Sequence, residues 1–250
     1  MAPQVQRVWT SHLQVYGHRK VWHQLRREDV TVARTVQRLM RLQGLQGARR
    51  GKWVRTTVLD AKAPCPLDRV NRQFKAERSN PVVGERLHLR LNLAGHVVYV
   101  AFVVDVYARF IVGWQVSSSM RADFVLDALE QAPYERKPER DGALIHHSDR
   151  GSQYLSIRYS EQLAEAGIQG SVGSKGDSYD NALAETINGL FKTELIYRRR
   201  PWKTKEGVEF ATFEWVSWFT IACLSPWLHQ PAEAEANHYR QVAERQAVTF

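Results

Sequence analysis

The sequence predicts an α/β protein, a mixed sheet flanked by helices, preceded by a small helical module. Three observations carry that prediction. Residues 4–47 repeat apolar side chains only at helical spacings. Two apolar runs rich in β-branched and aromatic residues, Val97–Val104 and Phe110–Val116, are joined by a short polar turn. Beyond them helices and strands alternate, the order that places helices on the faces of a sheet.

Taken in order, the first helices are marked by Val5, Val8, Trp9 and Leu13, then Val21, Trp22 and Leu25, then Val32, Val36, Leu39 and Met40. Thr31 is the expected cap of the third, Gly44 and Gly47 end it, and Arg49, Arg50, Lys52 and Arg55 follow as a basic tail. Residues 56–80 carry two prolines, scattered charge and no sustained period, which predicts a linker with a short helix at Arg69–Phe74. Leu87, Leu89, Leu91 and Leu93 alternate with His88, Arg90 and Asn92 as a half-buried strand should. The two apolar runs form a hairpin through Asp105, Val106, Tyr107, Ala108 and Arg109. A helix over Arg121–Gln131 uses Phe124, Val125, Leu126 and Leu129. A strand over 143–148 ends at Asp149, and Ile157–Ala166 makes the next helix. Asp177, Ser178 and Asp180 are candidate caps for a helix whose apolar stripe is Leu183, Ile187 and Leu190, and Asp180 and Asn181 read chiefly as helix-start residues. After a basic stretch, Arg198–Lys205, comes an aromatic helix, Val208–Phe219. Its Phe210, Phe213, Trp215, Trp218 and Phe219 are read as core, with stacking on DNA as the alternative.

Composition narrows the function classes. The chain of 250 residues holds 35 Lys+Arg against 26 Asp+Glu, a net charge of +9, which favours a polyanionic partner, nucleic acid being the usual one, with a merely basic soluble protein an equal alternative on charge alone. Its two cysteines, Cys65 and Cys223, are far apart and lack metal-ligand spacing, so neither a disulfide framework nor a small zinc module is expected. No signal peptide or membrane-spanning run is seen, and a reducing cytoplasm is the expected compartment, with no membrane partner.

Two carboxylates stand out. Asp149 follows an apolar strand, Glu185 falls off the apolar stripe of its helix, and oxygen ligands brought from distant elements suit a hard divalent cation such as Mg²⁺. Lys192, seven residues after Glu185, shares its helical face and is a candidate phosphate contact. Lys175, in a glycine-flanked loop, and Arg150, beside Asp149, are further candidates, a solvated loop lysine being the alternative for Lys175. His146 and His147 could approach a metal or DNA, but a structural role is favoured.

The strings HHSDRGSQY, VGSKGDSYDNALAETINGLFKTE and VYVAFVVDVYARFIVGW resemble the second-frame transposases of bacterial insertion sequences, whose core is similar to retroviral integrase and has a ribonuclease-H-like fold. The resemblance extends from about Gln4 to about Gln241. It implies a catalytic set of Asp, Asp and Glu in which Asp149 and Glu185, with residues 150–184 between them, are the last two members and metal ligands. It also implies two Mg²⁺ ions, with Mn²⁺ as substitute, that clamp the attacking and leaving oxygens while element ends are hydrolysed and the freed 3′ hydroxyl attacks target DNA. YGHRKVWHQLRRE and VARTVQRLMRLQGL resemble the helix-turn-helix module of that family, which makes Arg19 and Lys20 DNA-contact candidates. The implied partners are element ends and target DNA, handled by a homo-oligomer in a bacterial cytoplasm. The division expected is 1–50 DNA-binding module, 51–80 linker, 81–200 catalytic core and 201–250 C-terminal helical extension.

One departure bears on activity. The family carries its first catalytic Asp in a string like LWVSDFTYV on the first core strand, where this chain reads VVGERLHLRLNLAG, and no Asp occurs between Asp68 and Asp105. Asp105 matches a different, non-catalytic Asp. With synonymous codons chosen to suit, Val82–Leu91 read one base forward becomes Leu-Trp-Val-Ser-Asp-Phe-Thr-Tyr-Val, the Asp codon straddling Arg86 and Leu87. Two compensating frameshifts would account for this, either by decay of the element or by errors in the nucleotide record. Thr220–Gln230 is a second candidate patch. The expectation is a transposase with impaired catalysis. A non-catalytic DNA-binding remnant is the alternative, and a free-standing ribonuclease-H-like nuclease fits the fold but not the strings around Glu185.

Overall fold

The structure, a computed structural model, describes residues 1–30, 35–49, 82–93, 96–119, 122–136, 145–148, 161, 164, 169–172, 182–224 and 230–248. Thr31, the linker 56–80, the helix expected at Ile157–Ala166 (save Glu161 and Ala164) and the caps Asp177, Ser178 and Asp180 lie outside these residues.

Five strands form one mixed sheet: β1 (Val82–Leu93), β2 (His96–Asp105), β3 (Ile111–Ser117), β4 (Ile145–Ser148) and β5 (Gln169–Val172), in the order β3-β2-β1-β4-β5. The first three are antiparallel, whereas β4 runs parallel to β1 and β5 parallel to β4. The expected hairpin is β2–β3. Its turn is held by Asp105, whose Oδ1 accepts from the Tyr107 amide at 2.8 Å and whose amide donates to the Phe110 carbonyl at 2.8 Å. Asp105 is buried, and this turn-forming role is why an acid is placed there.

Alternation along β2 divides the core. Ala101 and Val103 join Val112 of β3 against α4 (Ala122–Arg136), through Phe124, Leu126, Ala128, Leu129 and Ala132. That contact is close: a Cβ on Gly113 would fall 2.0 Å from the Ala128 carbonyl oxygen, so only glycine admits the helix. The Gln131 amide group fastens the same pair, accepting from the Trp114 amide at 3.1 Å and donating to its carbonyl at 2.8 Å. The sequence expectation ended this helix at Gln131. It instead continues through Pro133 to Arg136, because a proline removes one hydrogen bond without removing the packing that holds the helix.

On the opposite face Val98, Val100, Phe102 and Val104 meet α5 (Ala182–Phe191) and α6 (Lys205–Ile221). Between these two helices the chain makes a π-helical turn, Lys192–Ile196. The Thr204 hydroxyl caps α6 by accepting from the Gly207 amide at 3.1 Å. The aromatics of α6 divide by face: Trp215 and Phe219 are fully buried and Trp218 nearly so, while Phe210 and Phe213 are 66% and 55% exposed. Core is therefore right for three of the five. A last helix, α7, spans Pro231–Val248.

The N-terminal helices α1 (Ala2–Ser11), α2 (His18–Arg27) and α3 (Val36–Leu42) carry the predicted apolar sets except Leu13, which lies beyond α1 at a φ of +53°, and Val32, which lies outside the described residues; Gly44 ends α3 with a φ of +66°. Their Val5, Val8, Val21, Leu25, Val36 and Met40 belong to the same buried cluster as Ile187, Phe191, Trp215 and Leu224. Among the described residues no helix is long and apolar enough to cross a membrane.

Candidate metal and nucleic-acid site

Glu185 is exposed in the first turn of α5, and the predicted stripe faces inward from it: Ile187 is fully buried, with Leu183 and Leu190 packed against the same core. Phe191 anchors the far end of the helix, its ring 5.0 Å from Phe102 and 5.1 Å from Trp215. The exposed carboxylate is thus carried on a helix fixed to β2 from below.

The neighbouring strand is β1. It pairs with β2 through Arg86 opposite Val103 and Leu87 opposite Phe102, with a register shift between Gly84 and Arg86, and with β4 through Val82 opposite Ile145 and Val83 opposite His146. Asp149 follows Ser148, the last residue of β4, in the sequence. Asp149, Arg150 and Lys175 lie outside the described residues. His146 and His147 are strand residues paired through the backbone with Gly170 and Ser171.

Lys192 is half-buried, and burial holds its ammonium below the ordinary lysine value. The α-helix stops one residue before it, so Lys192 opens the π-helical turn rather than continuing the face that bears Glu185. Arg19 is exposed on α2. Lys20, the next residue, turns inward: its Nζ lies 3.8 Å from Glu194 Oε1, 3.8 Å from Cys223 Sγ and 5.2 Å from the centre of the Tyr16 ring. The resemblance that marked Lys20 as a DNA contact could not show that its charge is engaged inside the protein. Arg27 is likewise paired, 2.6 Å from Glu233 of α7, and Arg7 is bonded to Glu28. Burial would raise the Glu28 carboxyl, but hydrogen bonds from Arg7 and Gln24 outweigh it and hold the group below its usual value.

Sequence reasoning missed Glu194, Tyr16 and His12, and read Trp218 only as core. Glu194 is buried beneath the module, its Oε2 accepting from Trp215 Nε1 at 3.2 Å. The Tyr16 hydroxyl accepts from the Leu224 amide at 2.6 Å, and His12 Nδ1 accepts from Trp218 Nε1 at 3.3 Å while its ring stacks on Tyr16 at 4.2 Å.

Of the two carboxylates expected to hold divalent ions, the described residues include Glu185, while Asp149 lies outside them. Among the described residues no three His, Cys, Asp or Glu side chains are grouped to hold a metal. β1 carries no Asp, and Leu87 is the residue opposite Phe102. Its one acid, Glu85, falls at the register shift.

Comparison with known proteins follows this geometry. Residues 82–178 match the integrase core domain, and residues 2–53 an HTH-like domain. The chain is 51% identical over 242 residues to the transposase for insertion sequence element IS629 of Shigella sonnei, covering 96% of this chain and 80% of that protein. It is 33% identical over 199 residues to the transposase for insertion sequence element IS904 of Lactococcus lactis, covering 78% and 77%. The catalytic core domain of HTLV-2 integrase, solved in complex with magnesium in a trimeric form, aligns with a TM-score of 0.51 at 13% identity, over 64% of this chain and 99% of that one. The last likeness concerns the fold: a five-stranded mixed sheet with helices on its faces.

Proposed function

Because this chain belongs to the insertion-sequence transposases with an integrase core domain behind an HTH-like domain, we propose that it grips element ends and target DNA as a homo-oligomer but cuts and joins them feebly. Residues 1–50 would read the ends, 51–80 bridge, 81–200 hold the chemistry and 201–250 brace it. Asp149 and Glu185 are the proposed Mg²⁺ ligands, Mn²⁺ substituting. Lys192, Lys175, Arg150 and Arg19 are the proposed phosphate contacts, with Lys20 contributing only where its inward pairing allows, and a bacterial cytoplasm is the proposed setting. The net charge of +9 supports a DNA partner.

One observation carries the impairment: β1 is a strand of 12 residues without an Asp. When bound, the metal pair stabilises charge on the attacking and leaving oxygens. The chain's own residues supply two of the three carboxylates such a pair needs, and Leu87 occupies the place of the third. The same observation favours a second reading, a DNA-binding remnant without any cutting activity. The test is a gel shift with duplexes ending in the element's repeats, beside end cleavage with Mg²⁺. Retention of binding with cleavage at least about a hundred-fold below an intact relative is expected, the scale set by losses at metal sites. Cleavage matching the intact relative would overturn the impairment, and no preference for element ends would overturn the DNA-end reading.

A further inference from the structure

The helical module does not hang from its linker. It is registered on the core by polar contacts that converge on one buried spot, where Lys20 of α2 meets Glu194 of the π-helical turn, Cys223 beyond α6 and the ring of Tyr16. The two charged side chains are 20% and 5% exposed. Trp215 and Leu224 lock the other sides of this spot, through Glu194 Oε2 and the Tyr16 hydroxyl. Apolar packing alone tolerates sliding, whereas a buried ion pair with directional neighbours favours one arrangement. Apolar packing is also incomplete here: a cavity of about 290 Å³ opens between the α1–α2 connection and the α5 end, lined by Val15, Gly17, Lys20, Leu190, Thr193 and Glu194.

We propose that Lys20 and Glu194 are a pair of positioning residues that fix the module at one angle to the helix carrying Glu185. Glu194 lies nine residues after Glu185 along continuous helical backbone, about 13 Å at helical rise, so the pair links the end-reading helices to the exposed carboxylate through one short lever. Neither residue touches DNA or metal in this role. The proposal rests on the module reading element ends only for its consequence; the geometry is independent of that reading. Domains joined by small polar interfaces move by default, and here the interface is built to prevent it.

The test places spin labels at two exposed positions, Gln6→Cys on α1 and Glu130→Cys on α4, in the full chain with Cys65→Ser and without DNA. Cys223 is left in place, since burial pushes its thiol up to about 12. A single narrow distance distribution is expected, widening about two-fold or more in Lys20→Met and staying narrow in Lys20→Arg, as a released domain interface should behave. A broad distribution in the unmutated background overturns the proposal. So does a Lys20→Met distribution as narrow as the parent's, even with a lower melting temperature, because that pattern belongs to a merely stabilising residue. Duplex binding is scored on the same variants: a narrow distribution without preference for element ends counts against the end-reading function alone.

Discussion

The module–core junction and strand β1 make opposite demands on sequence. At the junction, particular atoms matter: Trp218 donates to His12, Trp215 to Glu194, and the Leu224 amide to Tyr16. In β1 the backbone pairs with β2 from Val83 to Leu93, and Leu91 reaches the core, although its residues depart from the family string. Strand formation asks only for alternation and β-compatible side chains, which a shifted reading frame can supply by chance. Chemistry asks for one carboxylate at one place. The difference between the regions is a difference in how many sequences satisfy each.

The largest expected effect at the junction comes from Trp215→Ala. Trp215 is fully buried against Phe102, Phe191 and Phe219 and holds Glu194, so truncation should cost about 3–5 kcal/mol in denaturant unfolding, near the upper range for buried aromatics. A loss below about 1 kcal/mol would mean the junction is not a shared core, since ordinary surface substitutions cost that little.

A smaller effect is set by acid. Burial first of all, against the attraction of Glu28 and with the repulsion of Lys20 and Arg7, lowers His12 from 6.5 to about 4. The unfolded chain then takes up a proton that the folded chain refuses. The stabilisation is complete above pH 6.5, falls as pH drops toward 4 and levels off below it, and its full size is on the order of 3 kcal/mol. His12→Gln should flatten that part of the stability curve. An unchanged slope between pH 6.5 and 4 in the variant would show that His12 is not the group responsible.

Much of the fold was legible because periodicity reports which side chains are buried. The helical sets around Val5, Val21 and Val36, the β2–β3 hairpin and the Leu183–Ile187–Leu190 stripe all appear where their spacing put them. Periodicity does not report against what they are buried. Nothing in YGHRK announced that Tyr16 would reach Leu224 or that Lys20 would face Glu194, more than 170 positions away, and Phe210 and Phe213 look as apolar in sequence as Trp215 does. The π-helical turn was invisible for a related reason: a residue's own preferences scarcely distinguish it from α-helix. The candidate site was legible at Glu185, an exposed acid that falls off the apolar stripe of its helix, and as an absence, in the lack of an Asp in β1.

The proposal that β1 limits cleavage because it has no Asp is tested most directly by restoring the family string in that strand. Replacing Val83–Leu91 with Leu-Trp-Val-Ser-Asp-Phe-Thr-Tyr-Val puts an aspartate at position 87, opposite Phe102, and keeps strand character throughout. The measurement is Mg²⁺-dependent cleavage of element ends by the restored and the present chains at equal DNA occupancy. A gain of about a hundred-fold or more, with the melting temperature little changed, is the expected result. Equal cleavage by the two chains would contradict the claim that β1 is where the activity was lost.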